Sequence, residues 1–448
     1  LYHPSSAVVL RALGLFAHAR RTDFLPLAAR LADHADPEVR AAVLRARSAV
    51  QPAAPPLRAA LADPRARVRA TALAGLVAGG WASDEDRAAI EQLRLSGTVD
   101  ARRALARAIR DQPAPVFVEL LLQMAEDPDD EVQALTAAAM ERVKSERFLP
   151  ALLPMLGHRE VRGAARDALL AIGPPALAFL DRELDDQALP HEVRRHLPRT
   201  LSRFPPADAA PVLLRHLIDE TDGMVRYKIL RGLGRLAAEH PGVEIDAAPL
   251  REATARTMEA AFRLVHWRSV LVAGAGEEAS RATAGHDLLV TLLRDKEVHT
   301  IERLFRLLGL QYRREAFENI YRGLRNRNPK VRASSRELLE NLLPPPVRGA
   351  LLALVDEAAD ADRLARAEPY YRAQPLGYLE VLGAMLDASG ESLRSIAAYH
   401  VGELSLEPLR PRLETLLQHE EVGFFVKRVL ARALQLMSGE GPRRAHAV

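Results

Sequence analysis

Asp36-Pro37-Glu38-Val39-Arg40, Asp222-Gly223-Met224-Val225-Arg226 and Asn328-Pro329-Lys330-Val331-Arg332 are three copies of one short pattern. An acidic or small polar residue, often with Pro, is followed three residues on by Val-Arg, and Val-Arg opens a stretch of helical apolar spacing. Variants centre on Val68, Val99, Val132, Val161, Val193, Val298, Leu393 and Val422. From Val39 the consecutive spacings are 29, 31, 33, 29, 32 and 32 residues. A near-constant period of this size means stacked structural units.

Each unit has room for two helices: an apolar one such as Phe24-Leu25-Pro26-Leu27-Ala28-Ala29-Arg30-Leu31, a Pro-containing turn, and the helix opened by Val-Arg. Asp or Asn before the turn can accept from the free N–H groups of the second helix, and Pro is tolerated in the first turn because its missing N–H is not needed there. Val225, Ile229, Leu230, Leu233 and Leu236 fall on one stripe, as do Val193, Leu197, Leu201 and Phe204. That is helical periodicity and not strand alternation. A single hairpin cannot bury its stripe, so neighbours must stack into a continuous core. The expectation is an all-α, right-handed α-α superhelix.

The pattern resembles the HEAT-repeat superfamily, whose units carry this Asp/Pro-Val-Arg turn. The resemblance implies a ladder of Asp and Arg between adjacent repeats, with Arg40, Arg69, Arg162, Arg194, Arg226 and Arg332 at the ladder position and a structural role for each. Gln133 and His299 depart from it.

The 73 residues from Val225 to Val298 are too long for two ordinary units. One longer helix is expected over 246–273, ended by Gly274-Ala275-Gly276 as a hinge or internal boundary. The chain therefore reads as N-terminal repeats over 1–241, an atypical segment over 242–297 and C-terminal repeats over 298–448, in one solenoid. Ile301-Glu302-Arg303-Leu304-Phe305-Arg306-Leu307-Leu308-Gly309-Leu310, Ile320-Tyr321-Arg322-Gly323-Leu324-Arg325 and Leu338-Leu339-Glu340-Asn341-Leu342-Leu343-Pro344, with the long helix before them, resemble the HEAT module fused behind bacterial ATP/ADP-translocase-like, major-facilitator-type transporters. This likeness implies the cytosolic module of a longer protein, at the inner face of the membrane. The start at Leu1 agrees with a piece cut from such a chain. The likeness carries no transport or nucleotide-binding residue.

Composition narrows the chemistry. The chain has 448 residues, 48% of them hydrophobic and 27% charged, enough apolar material for an ordered protein. It has no Cys, which excludes disulfides and thiolate metal sites and makes a cytoplasmic setting the easier reading. No run of 18 apolar residues or signal-peptide pattern occurs.

Resemblances to catalytic motifs fail on spacing. In His191-Glu192-Val193-Arg194-Arg195-His196 the histidines stand five apart, whereas a zinc-protease helix needs four. Gly232-Leu233-Gly234 has no strand before it, so it is not a dinucleotide loop. Asp127-Pro128-Asp129-Asp130-Glu131 lacks the Gly and distal Glu of a calcium loop and reads as an acidic turn before a helix N-terminus. Beside Trp267, read as packing, His266 is expected to be partly exposed. Neither phosphate-loop nor Gly-x-Ser-x-Gly signatures are present. No catalytic residue, cofactor or metal ligand is expected.

Charge is unevenly spread. Twelve-residue windows opened by the eleven markers hold 27 of the 62 Lys+Arg but 7 of the 59 Asp+Glu. The second helices are basic beyond the ladder arginines. Six and ten residues after the marker, off the apolar stripe and sharing one face, stand Arg45, Arg142, Arg199, Arg203, Arg231, Arg235, Arg428 and Arg432, against Asp167, Glu337 and Glu403. Arg199, Arg203, Arg231 and Arg235 come from consecutive units and are expected in one patch. If second helices line a concave surface, that groove offers arginine to an acidic protein, a phosphate-bearing ligand or a membrane surface; a solvated Arg-rich face is the plain alternative.

The expected function is a non-catalytic scaffold for protein–protein interaction, regulatory to a transporter. The alternative is a nucleic-acid-binding protein resembling HEAT-like DNA-alkylation-repair glycosylases, but aromatics are 5% of the chain and Trp81 and Trp267 lie outside the basic windows. Phycobilin-lyase-like HEAT proteins are a third resemblance that no motif promotes.

Overall fold

Asp and Asn open the second helices as their chemistry requires. Asp36 accepts from the Glu38 N–H at 2.9 Å, Asp129 from Val132 at 3.0 Å, Asp222 from Val225 at 2.8 Å and Asn328 from Lys330 at 3.0 Å. Each cap satisfies a donor with no partner inside its own helix. The marker residue then turns inward: Val39, Val68, Val132, Val161 and Val225 are at most 2% exposed. Full burial of such a side chain contributes about 1.5–3 kcal/mol.

The computed structural model describes residues 1, 3–388, 390–419 and 422–438. Among them it is all helix and turn, without strands, built of stacked helical hairpins as an α-solenoid is. The chain forms two compact units, Leu1–Pro205 and Pro206–Val448. In the first, the second helices Pro37–Val50, Ala66–Ala78, Val99–Asp111, Asp130–Val143 and Arg162–Ile172 pack each on the next. The following second helix is not continuous: it comes as His191–Arg194 and Leu197–Leu201, with Pro198 inside the latter, although its stripe Val193, Leu197, Leu201 and Phe204 is buried as the periodicity requires.

Three markers were misplaced by the sequence pattern, among them Val331 of the Asn328-capped copy, which is 37% exposed. Val99 is 37% exposed, and the buried position of its repeat is Ala101, two residues on, followed by Arg102. Thr98 caps this helix through the Ala101 N–H at 3.3 Å, so the cap and not the Val sets the register. Val298 opens nothing: it lies inside the 28-residue helix Ala284–Gln311.

In the second unit that helix packs along Ala247–Glu277, which spans 31 residues and is capped by Asp246. At 1.5 Å per residue the latter is about 46 Å long. The break expected at Gly274-Ala275-Gly276 is absent, since the helix continues through both glycines to Glu277. Gly274 is small for a packing reason: a Cβ there would come within 2.5 Å of the Tyr378 ring. The long pair serves as a spine for two cores. Met258, Phe262 and Val265 meet Phe317, Ile320 and Leu339, and further along Trp267, Leu271, Leu289 and Leu293 meet Val381, Leu382 and Met385. His266, expected to be partly exposed, is 6% exposed with Nδ1 2.8 Å from the Tyr371 hydroxyl. No helix of the described residues is long and apolar enough to cross a membrane.

Candidate functional site

The ladder-position arginines act mainly on their own turns. Arg40 donates through Nη1 to the His34 carbonyl at 2.7 Å, Arg69 to Asp63 and Pro64 at 2.8 and 2.9 Å, and Arg332 to Asn326 and Arg327 at 3.0 Å each. Arg226 donates to the Glu220 carbonyl, and Gln133 keeps the same contact, to Asp127 at 2.8 Å, without the charge. Arg194 holds the Leu184 carbonyl at 3.0 Å. These carbonyls lie in the last turn of a helix or just beyond it and lack helical partners, so the side chain ties one helix end to the next helix start. His299, in mid-helix, has no such turn to hold.

A carboxylate in the next hairpin is reached by Arg40, to Asp63 at 2.7 Å, and by Arg102, to Asp127 at 2.6 Å. Arg102 is not the residue that follows the Val99 marker, because Ala101 and not Val99 is the buried position of this repeat. Its recognisable signal is an acidic residue five positions before the next buried marker, where both Asp63 and Asp127 stand. Asp63 is held below the usual carboxylate range, chiefly by its hydrogen bonds from Arg40. Asp127 and Asp129, weighed as a calcium turn, are instead engaged by Arg102 and Arg103.

The groove arginines fall into different classes. Arg45, expected on an open face, is half-buried and ion-paired to Asp111, which also takes Arg67 and Arg110 at 3.0 Å each. Burial pushes the Asp111 carboxyl upward, but these three guanidiniums outweigh it and hold the group below its ordinary range. Arg203 is exposed and bonds Asp167 at 3.0 Å. Arg432 is half-buried and bonds Gln435 at 3.3 Å. Arg231 and Arg428, both exposed, lie 5.9 and 6.0 Å from the Tyr227 and Phe424 rings. Arg142, Arg199 and the half-buried Arg235 have no ion-pair partner among the described residues. Arg199 and Arg203 belong to the first unit, Arg231 and Arg235 to the second.

Within the first unit, Arg199 and Arg203 accompany an arginine that pattern counting missed. Arg166, on Arg162–Ile172, is 6% exposed; its Nε donates to Thr200 Oγ1 at 3.2 Å while its Nη2 is enclosed without an acceptor. Four residues before it, Arg162 sets Nη1 3.1 Å from His196 Nε2, and its Nε is likewise enclosed and unpaired. The Arg166 guanidinium is pushed down to about 10, first by burial and then by Arg199, Arg203 and Arg162, with Asp167 opposing. Arg166 stands five residues after Val161, at the edge of the apolar stripe. Its signal in the sequence is an Arg pair four apart, Arg162 and Arg166, on one helix face.

The second unit holds a related group. Arg303 is pushed down to about 10 by burial and by Arg226, and donates to Thr300 Oγ1 at 2.7 Å. Lys296 is lowered by burial and by Arg303, against Asp222. No group of three or more His, Asp or Glu suited to a metal ion occurs among the described residues.

No protein-family model and no curated protein sequence matches the chain. Among solved structures it is similar to a Kap121p mutant, at 14% identity and a TM-score of 0.33, over 97% of this chain and 52% of that one. Similarity to Kap121p itself is 14% identity and a TM-score of 0.32, over 97% and 49%. The chain spans about half the length of these two structures.

Proposed function

We propose that the chain is a non-catalytic helical-repeat scaffold whose second-helix arginines hold an acidic partner protein in a groove, as a cytosolic regulatory module of a membrane transporter. The observation that carries the anionic partner is the presence of exposed guanidiniums, Arg142 and Arg199 foremost, without a carboxylate partner among the described residues. A solvent-exposed cation kept clear of counter-charges attracts an acidic surface and steers its approach. The transporter setting is supported by the residue likeness over 301–344 and the long helix before it.

Titration of the chain with a poly-glutamate peptide tests the groove. Charge reversal at Arg142 and Arg199 together is expected to weaken binding at least tenfold with no change in melting temperature; unchanged affinity overturns the reading. A duplex oligonucleotide that binds tightly, with affinity falling steeply as salt rises, would favour the nucleic-acid alternative. Membrane fractionation of source cells addresses the transporter: a membrane-bound species much heavier than 49.2 kDa supports it, and a soluble one of that mass removes it.

A further inference from the structure

Buried charges in proteins are paired, and buried donors find acceptors. Arg166, 6% exposed, breaks both rules, and the half-buried Arg162 four residues before it breaks the second: each has an enclosed guanidinium nitrogen without an acceptor. Arg199 and Arg203 stand near enough to act on Arg166 through charge. Asp167 is the carboxylate of this group, and Arg203 already holds it at 3.0 Å. Three guanidiniums, of Arg162, Arg166 and Arg199, are left without a matching negative charge.

We propose that Arg162, Arg166 and Arg199 form a binding site for a dianionic phosphate group, either free or esterified to a serine or threonine of a partner polypeptide. The inference rests on the reading of the second-helix arginines as an anion-facing surface and names the ligand at one place on it. The charge decides the class. A glutamate side chain brings one negative charge, whereas a phosphate monoester brings about −1.5 to −2 and three strong acceptor oxygens. Guanidinium forks match those oxygens in pairs, which a lysine cannot do.

The neighbours fix the forks. Thr200 Oγ1 accepts from Arg166 Nε and donates to the His196 carbonyl at 3.1 Å, while His196 Nε2 faces Arg162 Nη1. Arg199 is exposed and makes no ion pair among the described residues, so it is free to close over an incoming anion. The bound group would supply the acceptors that Arg166 Nη2 and Arg162 Nε lack.

The test uses the full chain with three probes: inorganic phosphate, N-acetyl-phosphoserine amide and N-acetylglutamate amide, titrated by calorimetry, with ³¹P line broadening for the first two. At least one phosphate probe is expected to bind ten times or more tighter than the glutamate probe. Arg166→Gln should weaken it at least tenfold without lowering the melting temperature of the unliganded protein, while Arg314→Gln, on the other unit, leaves it unchanged. If Arg166→Gln folds poorly, the exposed Arg199→Gln carries the same expectation. Tighter binding of inorganic phosphate identifies a free anion, and tighter binding of the phosphoserine probe a modified partner chain. Equal affinity for phosphate and glutamate probes, or phosphate binding that survives both substitutions, overturns the proposal. Poly-glutamate binding in the absence of phosphate binding overturns this site alone, whereas loss of both also removes the acidic-partner groove.

Discussion

Two stretches of the first unit use the same repeat and pair their arginines to different extents. From His34 to Glu131, Arg40, Arg45, Arg67, Arg102 and Arg103 each meet Asp63, Asp111, Glu38, Asp127 or Asp129. From His158 to Phe204, Arg162, Arg166 and Arg199 meet none. The cause is visible in the turns. Five residues before the buried markers Val68 and Val132 stand Asp63 and Asp127; five before Val161 and Val193 stand Leu156 and Ala188. Where the acceptor is missing, the chain has either dropped the arginine, as at Gln133, or kept it without a counter-charge, as at Arg162. Arg69 and Arg332 hold their turn carbonyls without an ion pair and Arg162 makes neither contact, so a repeat does not need the ion pair and the second stretch has positive charge to spare for a ligand.

Breaking the neutralised side should cost most. Asp111→Ala removes the acceptor shared by Arg45, Arg67 and Arg110, leaving Arg45 half-buried beside Arg67 with only Glu38, already held by Arg67, to oppose them. The expected loss is about 3 kcal/mol, read from urea unfolding. The opposite sign is expected across the comparison. Arg166→Met keeps most of the volume and removes a guanidinium whose charged form the fold disfavours, so unliganded stability should rise on the order of 2 kcal/mol at pH 7. The group's folded pKa, about 10, lies below its unfolded value. Its charge therefore penalises folding at pH values below 10, and the penalty fades as pH climbs through 10 toward the ordinary guanidinium value. The gain from Arg166→Met should shrink over the same window; a gain that grows there would show that Arg166 stabilises the fold.

Acid should separate the stretches next. Asp36, Asp63, Asp111 and Asp129 all have carboxyls held below the ordinary range, and all lie in the first stretch. A depressed folded pKa contributes stability that is complete above the unfolded value, near 4, and is lost as pH falls through the folded one. Hydrogen exchange between pH 4 and pH 2 is thus expected to lose protection over 34–131 before 158–203. Equal loss in both would mean that the ion pairs add little beyond the carbonyl contacts.

The sequence made the hairpins legible because their punctuation is local: Asp36, Asp222 and Asn328 act two or three residues from where they stand. It made the register legible wherever Val occupied the buried position, and misled at Val99, where a small Ala101 fills that position and Thr98 supplies the cap. Gly274 read as a break because glycine is a common helix terminator, but the requirement there is room for Tyr378, a residue 104 positions away whose approach no local pattern encodes. The site was half legible. Arg199 and Arg203 followed from periodicity, since off-stripe positions face outward; Arg166 did not, because its burial depends on Thr200 and His196 from the next hairpin. Counting charges along one face identified a basic surface and missed the buried arginine that gives part of it a shape.

Arg102→Gln sharpens the comparison with a smaller effect. Gln133 shows that an uncharged side chain of this length can hold the turn carbonyl, at 2.8 Å to Asp127. At position 102 the same residue would keep the bond now made to Gly97 at 2.9 Å and lose the pair to Asp127. The difference isolates the charged rung from the backbone contact. A partly buried, charge-assisted pair of this kind contributes about 1 kcal/mol, while loss of the carbonyl contact as well, in Arg102→Ala, should roughly double the cost. If Arg102→Gln costs nothing, the rung is dispensable even where it is complete, and the unpaired state of Arg162 ceases to mark its stretch as different. If Arg102→Gln costs as much as Arg102→Ala, the ion pair alone fixes the turn, and the repeats from Gln133 onward must be held by packing.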